Sequence, residues 1–221
     1  MSKILVIGAH GRAGAAAVAE ARGRGHDVLG VTRGRPGSEE RGADRSTGQP
    51  ARGAADGGAA GGGAVVVGDV LDVERIAELA SGRDVVVAGV YDPAPDFFPR
   101  AARALVEGLG AAGVRRLVWV GLASILPTAD GTLLMDTDGY PREYRSFFLA
   151  HQAALDVFAA SGLDWVSLAP AGDFSDLSPQ GSYRAGPADA GARISYADFA
   201  VALVDEADHP TRHRAAYGVL V

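Results

Sequence analysis

Gly8, Gly11 and Gly14 stand three apart in the run Gly8-Ala9-His10-Gly11-Arg12-Ala13-Gly14. The apolar run Ile4-Leu5-Val6-Ile7 precedes them, and an Ala-rich stretch from Arg12 to Arg22 follows. The first reads as a strand buried on both faces, the second as a helix stopped by Gly23 and Gly25. Strand, tight turn and helix N-terminus in that order form an anion site, because the free N–H groups and the dipole of the helix start point at one place. Gly8 permits the turn, Gly11 lets the backbone approach a pyrophosphate, and Gly14 lets helix and strand pack closely. The chemistry implied is the binding of a dinucleotide, with His10, Arg12 and Ala13 filling the turn between the glycines.

The end of the second strand, Val28 to Thr32, selects which dinucleotide. A carboxylate there would hold a ribose 2′-hydroxyl, whereas an arginine accommodates a 2′-phosphate. The sequence reads Val31-Thr32-Arg33-Gly34, with no acidic residue. A planar guanidinium suits bidentate phosphate contact, so Arg33 predicts NADPH, with NADH as the alternative. The bland reading of Arg33 is a solvated surface charge. Asp69 and Val70 follow the third strand and Gly89 the fourth, at the carboxyl edge where such sheets bind ligands. Asp69 either accepts from the adenine amino group or caps the helix that begins near Asp72.

The elements that must position these residues alternate along the chain. Strands are predicted at Val65–Val67, Val85–Ala88, Leu117–Val120, Trp165–Leu168 and Ala216–Val221. Helices are predicted over Val73–Ala80, along the face Phe98, Ala102, Leu105, Leu109 and Ala112, along the face Tyr144, Phe148, His151, Leu155 and Phe158, and over Tyr196–Glu206. Residues 171–192, rich in Gly, Pro, Asp and Ser, read as loop. Parallel neighbours need crossover connections, so the fold class is α/β: one doubly wound parallel-sheet Rossmann domain over 1–221, with small C-terminal elements on the substrate side.

Bulk properties set limits. The chain has 221 residues, 48% of them hydrophobic and 22% charged, with a formal net charge of -6. That acidic balance argues against nucleic acid as a partner. No cysteine is present, which excludes disulfides, thiol catalysis and cysteine-based metal sites, and no other metal-ligand pattern is evident. No stretch approaches a membrane span or a signal-peptide core, so a cytoplasmic location is expected. Residues 34–64 carry 10 glycines in 31 positions and almost no large apolar side chain. A mobile excursion is predicted there, either a tolerated surface insertion or a lid over the adenosine end of the cofactor.

The glycine turn, Gly68-Asp69-Val70 and Gly113-Val114-Arg115-Arg116-Leu117-Val118-Trp119-Val120-Gly121 resemble the atypical short-chain dehydrogenase/reductases with an NAD(P)H-binding domain. Val120-Gly121-Leu122-Ala123-Ser124, Ser161-Gly162-Leu163-Asp164-Trp165, Leu168-Ala169-Pro170-Ala171 and Ile194-Ser195-Tyr196-Ala197-Asp198-Phe199-Ala200 are similar to the NADH–flavin reductase group, whose fold is shared with flavin and biliverdin reductases. The resemblance covers nearly the whole chain outside 34–64. Leu122 and Ser124 interrupt the glycine-rich step that usually follows strand five.

Typical short-chain dehydrogenases use a Tyr-x-x-x-Lys pair on the helix after that strand, the lysine easing proton transfer from the tyrosine. Here Tyr140 is followed four residues later by Tyr144, and Tyr144 by Phe148. The one lysine is Lys3. Carbonyl reduction by that route is disfavoured, while hydride transfer to a flavin or quinone needs a stacked geometry and a dry slot rather than a strong protein acid. Tyr144, His151 and Ser124 are the candidate catalytic residues. Their bland readings are a half-buried helix-end tyrosine, a packing histidine and a turn serine. The function implied is an NADPH-dependent reductase of a flat conjugated acceptor, flavin among them, acting as a monomer or homodimer. The alternatives are a dedicated reductase or isomerase of specialised metabolism and a non-catalytic NADP-binding redox sensor.

Overall fold

A computed structural model describes residues 1–33 and 64–221. The excursion predicted at 34–64 therefore lies, up to residue 63, outside the described residues.

Ten strands and five helices occur among the described residues. The first half alternates β1 (Lys3–Ile7), α1 (Arg12–Gly23), β2 (Asp27–Thr32), β3 (Val65–Val67), α2 (Val73–Ala80), β4 (Val85–Ala88) and α3 (Phe97–Ala112). The second half runs β5 (Arg116–Val120), α4 (Arg145–Ala160), β6 (Asp164–Pro170), β7 (Asp173–Ser175), β8 (Arg184–Gly186), β9 (Arg193–Ser195), α5 (Tyr196–Asp208) and β10 (Ala215–Leu220). Eight strands form one sheet in the order β3-β2-β1-β4-β5-β6-β10-β8. Every neighbour pair in it is parallel except β10 with the edge strand β8. The doubly wound Rossmann-like fold predicted from the alternation is the fold observed.

Local chemistry explains the element ends. The Asp72 carboxylate accepts the Arg75 N–H and starts α2, and Ser195 accepts the Asp198 N–H and starts α5. Gly113, at φ 73°, ends α3 in the left-handed conformation that glycine adopts without strain. Both sheet faces are covered, which is why β1 and β4 read as unbroken apolar runs. On one face Phe98, Leu105 and Leu109 of α3 and Phe158 of α4 bury against Leu5, Val86 and Leu117. On the other, Ala17 of α1 and Phe199 and Leu203 of α5 bury against Val6, Val87 and Val118.

The structure corrects three expectations. Residues 171–192 are not a plain loop: they hold β7 and β8, and β7 pairs in parallel with β9 as a separate two-stranded sheet. Strands of three residues are too short to show a period-two pattern. Helix α4 begins at Arg145, so Tyr144 is its N-cap and not part of a helical face, and Ser161 rather than Gly162 closes it. No helix among the described residues is long and apolar enough to cross a membrane.

Candidate functional site

The sheet order turns about β1, which has β2 on one side and β4 on the other, and ligands of open α/β sheets sit at the carboxyl ends of such a switch point. Ile7 lies opposite both Val31 and Ala88, so Gly8 leaves the sheet between the ends of β2 and β4. Gly8 has φ 86°, and a Cβ there would fall on the Gly89 carbonyl oxygen. A Cβ on Gly14 would fall on the Gly8 carbonyl oxygen. The first position needs glycine for its backbone angle as well as its space, the second for space alone. The Gly11 N–H donates to the Gly8 carbonyl at 2.9 Å and tightens the turn. Helix α1 then starts with no side-chain cap and no acidic residue in its first turn. Its leading N–H groups cannot be satisfied by the helix itself, and no carboxylate of the first turn competes there with an anion. A pyrophosphate fits that cradle.

A cavity of about 290 Å³ continues from the turn. Gly8, His10 and Gly11 form one wall, Val31, Thr32 and Arg33 the end of β2, and Gly68 and Val70 the end of β3. Gly89, Val90, Tyr91 and Phe97 complete it from the β4 side. These are the surroundings of the adenosine half of a dinucleotide in this fold. The His10 ring lies 3.4 Å from the Thr32 hydroxyl. Asp69 does not cap α2, which Asp72 starts; its Oδ1 accepts the Leu71 N–H at 2.9 Å in a local turn, between Gly68 and Val70 of the cavity wall. Arg33 reaches the cavity but also donates to the Asp92 carboxylate at 2.7 Å. Arg12 points elsewhere, pairing with Asp176 at 2.7 Å and lying 4.3 Å over the Tyr196 ring. Ala13 stands in the first turn of α1.

Past β5 the candidate catalytic residues separate. Ser124 is buried, and its Oγ lies 2.8 Å from the hydroxyl of Tyr140. Tyr144 is mostly exposed and does not share that contact. His151 is buried against Phe98, with ring centroids 3.7 Å apart, and against Phe147 at 4.8 Å. Neither of its ring nitrogens has a hydrogen-bond partner among the described residues. Burial pushes its pKa down to about 3, so the ring is neutral and packs as an aromatic side chain.

Three residues received no role of their own in the sequence reading. Tyr91 and Asp92 stand two and three residues after Gly89, and that position, just past a strand at the ligand edge, is the only signal they carry. Asp198 is buried, accepting the N–H groups of Gln180 and Gly181 and the hydroxyl of Ser195. It thereby ties the segment after β7 to the start of α5. The Ser195-x-x-Asp198 spacing of a reciprocal cap could have flagged it.

The profile of a family described as NAD(P)H-binding matches residues 8–210, a span that begins at the first glycine of the turn. The chain belongs to this NAD(P)H-binding family. The uncharacterized protein YwnB of Bacillus subtilis is 31% identical over 231 aligned positions, covering 99% of this chain and 98% of that one. A crystal structure from Burkholderia pseudomallei, provisionally named an exported protein, has a TM-score of 0.80 at 30% identity, with both chains fully covered. A Streptococcus pneumoniae structure provisionally named an NADH–flavin reductase has a TM-score of 0.75 at 24% identity over 100% and 99% of the two chains, and shows the shared fold. The NAD(P)H-binding family that the motifs resembled is the one found, and with it a nicotinamide cofactor.

Proposed function

We propose that the protein is an NADPH-dependent reductase that passes hydride to a flavin, quinone or similar flat conjugated acceptor. The observation that carries the acceptor class is a hydroxyl pair without a lysine. Ser124 holds Tyr140, yet the one lysine of the chain, Lys3, opens β1 at the opposite edge of the sheet. The tyrosine therefore lacks the lysine that eases proton transfer to an alkoxide in the usual dehydrogenase pair. A reduced flavin or quinone can take its proton from water, so these acceptors suit such a site.

The glycine turn and the start of α1 would hold the pyrophosphate, and Arg33 the 2′-phosphate. NADPH, when bound, supplies the hydride from its nicotinamide ring. Ser124 and Tyr140, beyond the end of β5, would orient a polar edge of the acceptor. Tyr91 is largely exposed on the cavity wall and packs on Phe147 with centroids 6.1 Å apart.

Titration of the purified protein with NADPH and NADH by fluorescence, followed by FMN, riboflavin or a simple quinone while the nicotinamide absorbance is recorded, tests the proposal. Tighter binding of NADPH and acceptor-dependent loss of absorbance are the expected results. Binding without oxidation by any flat acceptor would overturn the reductase, and failure of both nucleotides to bind would overturn the cofactor assignment as well.

A further inference from the structure

Arg33 leaves the end of β2 and closes on the loop after β4. Its Nη1 donates to Asp92 Oδ2 at 2.7 Å and its Nη2 to the Tyr91 carbonyl at 2.9 Å. The face of the guanidinium lies 5.9 Å from the Phe97 ring. Asp92 is itself anchored, because its Oδ1 accepts the Ala94 N–H at 3.0 Å. The Ala94 N–H first, and then Arg33, hold this carboxyl below its ordinary range, so it is charged at neutral pH. Both Nη atoms of the cation placed to meet a 2′-phosphate are thus engaged by residues 91 and 92, and a fixed negative charge stands beside them.

A phosphate is best held by the paired N–H groups of a guanidinium. To gain them here it must displace or share with Asp92, and its own negative charge then rests next to another. A 2′-hydroxyl brings no charge and can donate to a carboxylate. The two dinucleotides therefore meet the same carboxylate with opposite consequences.

We propose that Asp92 is a specificity-determining residue of the cofactor cleft: by engaging Arg33 it weakens the hold on a 2′-phosphate and brings the affinities for NADPH and NADH closer together. The inference rests on the placement of the 2′-phosphate at Arg33 given above. It assigns to the loop after β4 a part in cofactor choice that the glycine turn and β2 do not account for.

The test compares wild type, Asp92→Asn, Arg33→Ala and the double variant in titrations with NADPH and NADH at low ionic strength. Asparagine keeps an oxygen for the Ala94 N–H, so the loop stays anchored while the charge is lost. Asp92→Asn is expected to tighten NADPH by about three- to tenfold, the range for one like charge removed at a solvated site, and to leave NADH unchanged or weaker. The gain should fade as salt is raised and shrink in the Arg33→Ala background, where only the repulsion between Asp92 and the phosphate is left to remove. An unchanged NADPH-to-NADH ratio in Asp92→Asn overturns the proposal. So does weaker NADPH binding, which would make Asp92 the residue that aims Arg33 at the phosphate. If Arg33→Ala does not move NADPH binding, the placement of the 2′-phosphate fails first and takes the role of Asp92 with it.

Discussion

Arg116 and Arg33 each hold a carboxylate at 2.7 Å, one at the amino edge of the sheet and one at its carboxyl edge. Arg116, the first residue of β5, and Glu206 of α5 have side chains 8% and 2% exposed. Arg33 and Asp92 are 50% and 29% exposed. At the buried pair almost every polar direction is filled. Arg116 also donates to the carbonyls of Glu206 and Arg212 and pairs with Asp164, while Glu206 accepts from Thr211, Arg212 and Tyr217. At the exposed pair, water and ligand can replace either partner. Equal bond lengths thus serve opposite ends: burial makes an ion pair expensive to break, and exposure leaves it exchangeable.

Glu206→Ala is the sharpest way to break that comparison. It strands Arg116 in the interior and removes the acceptor of four further donors, so a stability loss of about 3 kcal/mol is expected, the low end for a broken buried pair because Asp164 stays beside Arg116. Urea unfolding of variant and wild type measures it. Burial pushes the Glu206 carboxyl up, but the Thr211 hydroxyl and N–H, the Arg212 N–H and Arg116 outweigh burial and hold it below its ordinary 4.5. The folded state then binds this proton less readily than the unfolded one. Its contribution is complete above that pH and is lost as pH falls through the lowered value.

His151 shows a third outcome of burial, a titratable ring with no hydrogen-bond partner among the described residues. The folded ring resists protonation down to about pH 3, whereas the unfolded one takes a proton below about 6.5. Stability is therefore full above pH 6.5 and drains as pH falls toward 3, by about 2 kcal/mol at pH 5. His151→Leu should flatten the stability profile between pH 5 and 8, whatever it does at pH 8. A profile as steep as the wild type's would place the loss on other groups.

The two edges also differ in how far they could be read from the sequence. The glycine turn lies in one continuous segment, and its angles and clearances follow from the residue types at 8, 11 and 14. Helix faces at 98–109 and the apolar strands follow from periodicity. Contacts across long separations do not. Asp92 meets Arg33 from 59 residues away, and Glu206 meets Arg116 from 90. Tyr140 reaches Ser124 through an irregular stretch with two short 3-10 turns, where no period indicates which tyrosine turns inward. For His151 the apolar face marked the packing role, but only the ring contacts with Phe98 and Phe147 separate it from a catalytic one.

The smallest stability change should come from Arg33→Ala, although the largest change in NADPH binding is expected from it. The guanidinium is half exposed, and on release Asp92 keeps the Ala94 N–H and meets water. Unfolding should shift by no more than about 0.5 kcal/mol. NADPH binding should weaken by about ten- to a hundredfold, the loss of charge-assisted bonds to a phosphate, with NADH little changed. A large loss of stability from this variant would mean that the Arg33–Asp92 pair fastens the loop after β4 as Arg116–Glu206 fastens α5. The division between a structural edge and a ligand edge would then fail. Unfolding near wild type with selectively weakened NADPH binding would instead show that the sheet keeps its stabilising charges at one edge and its exchangeable ones at the other.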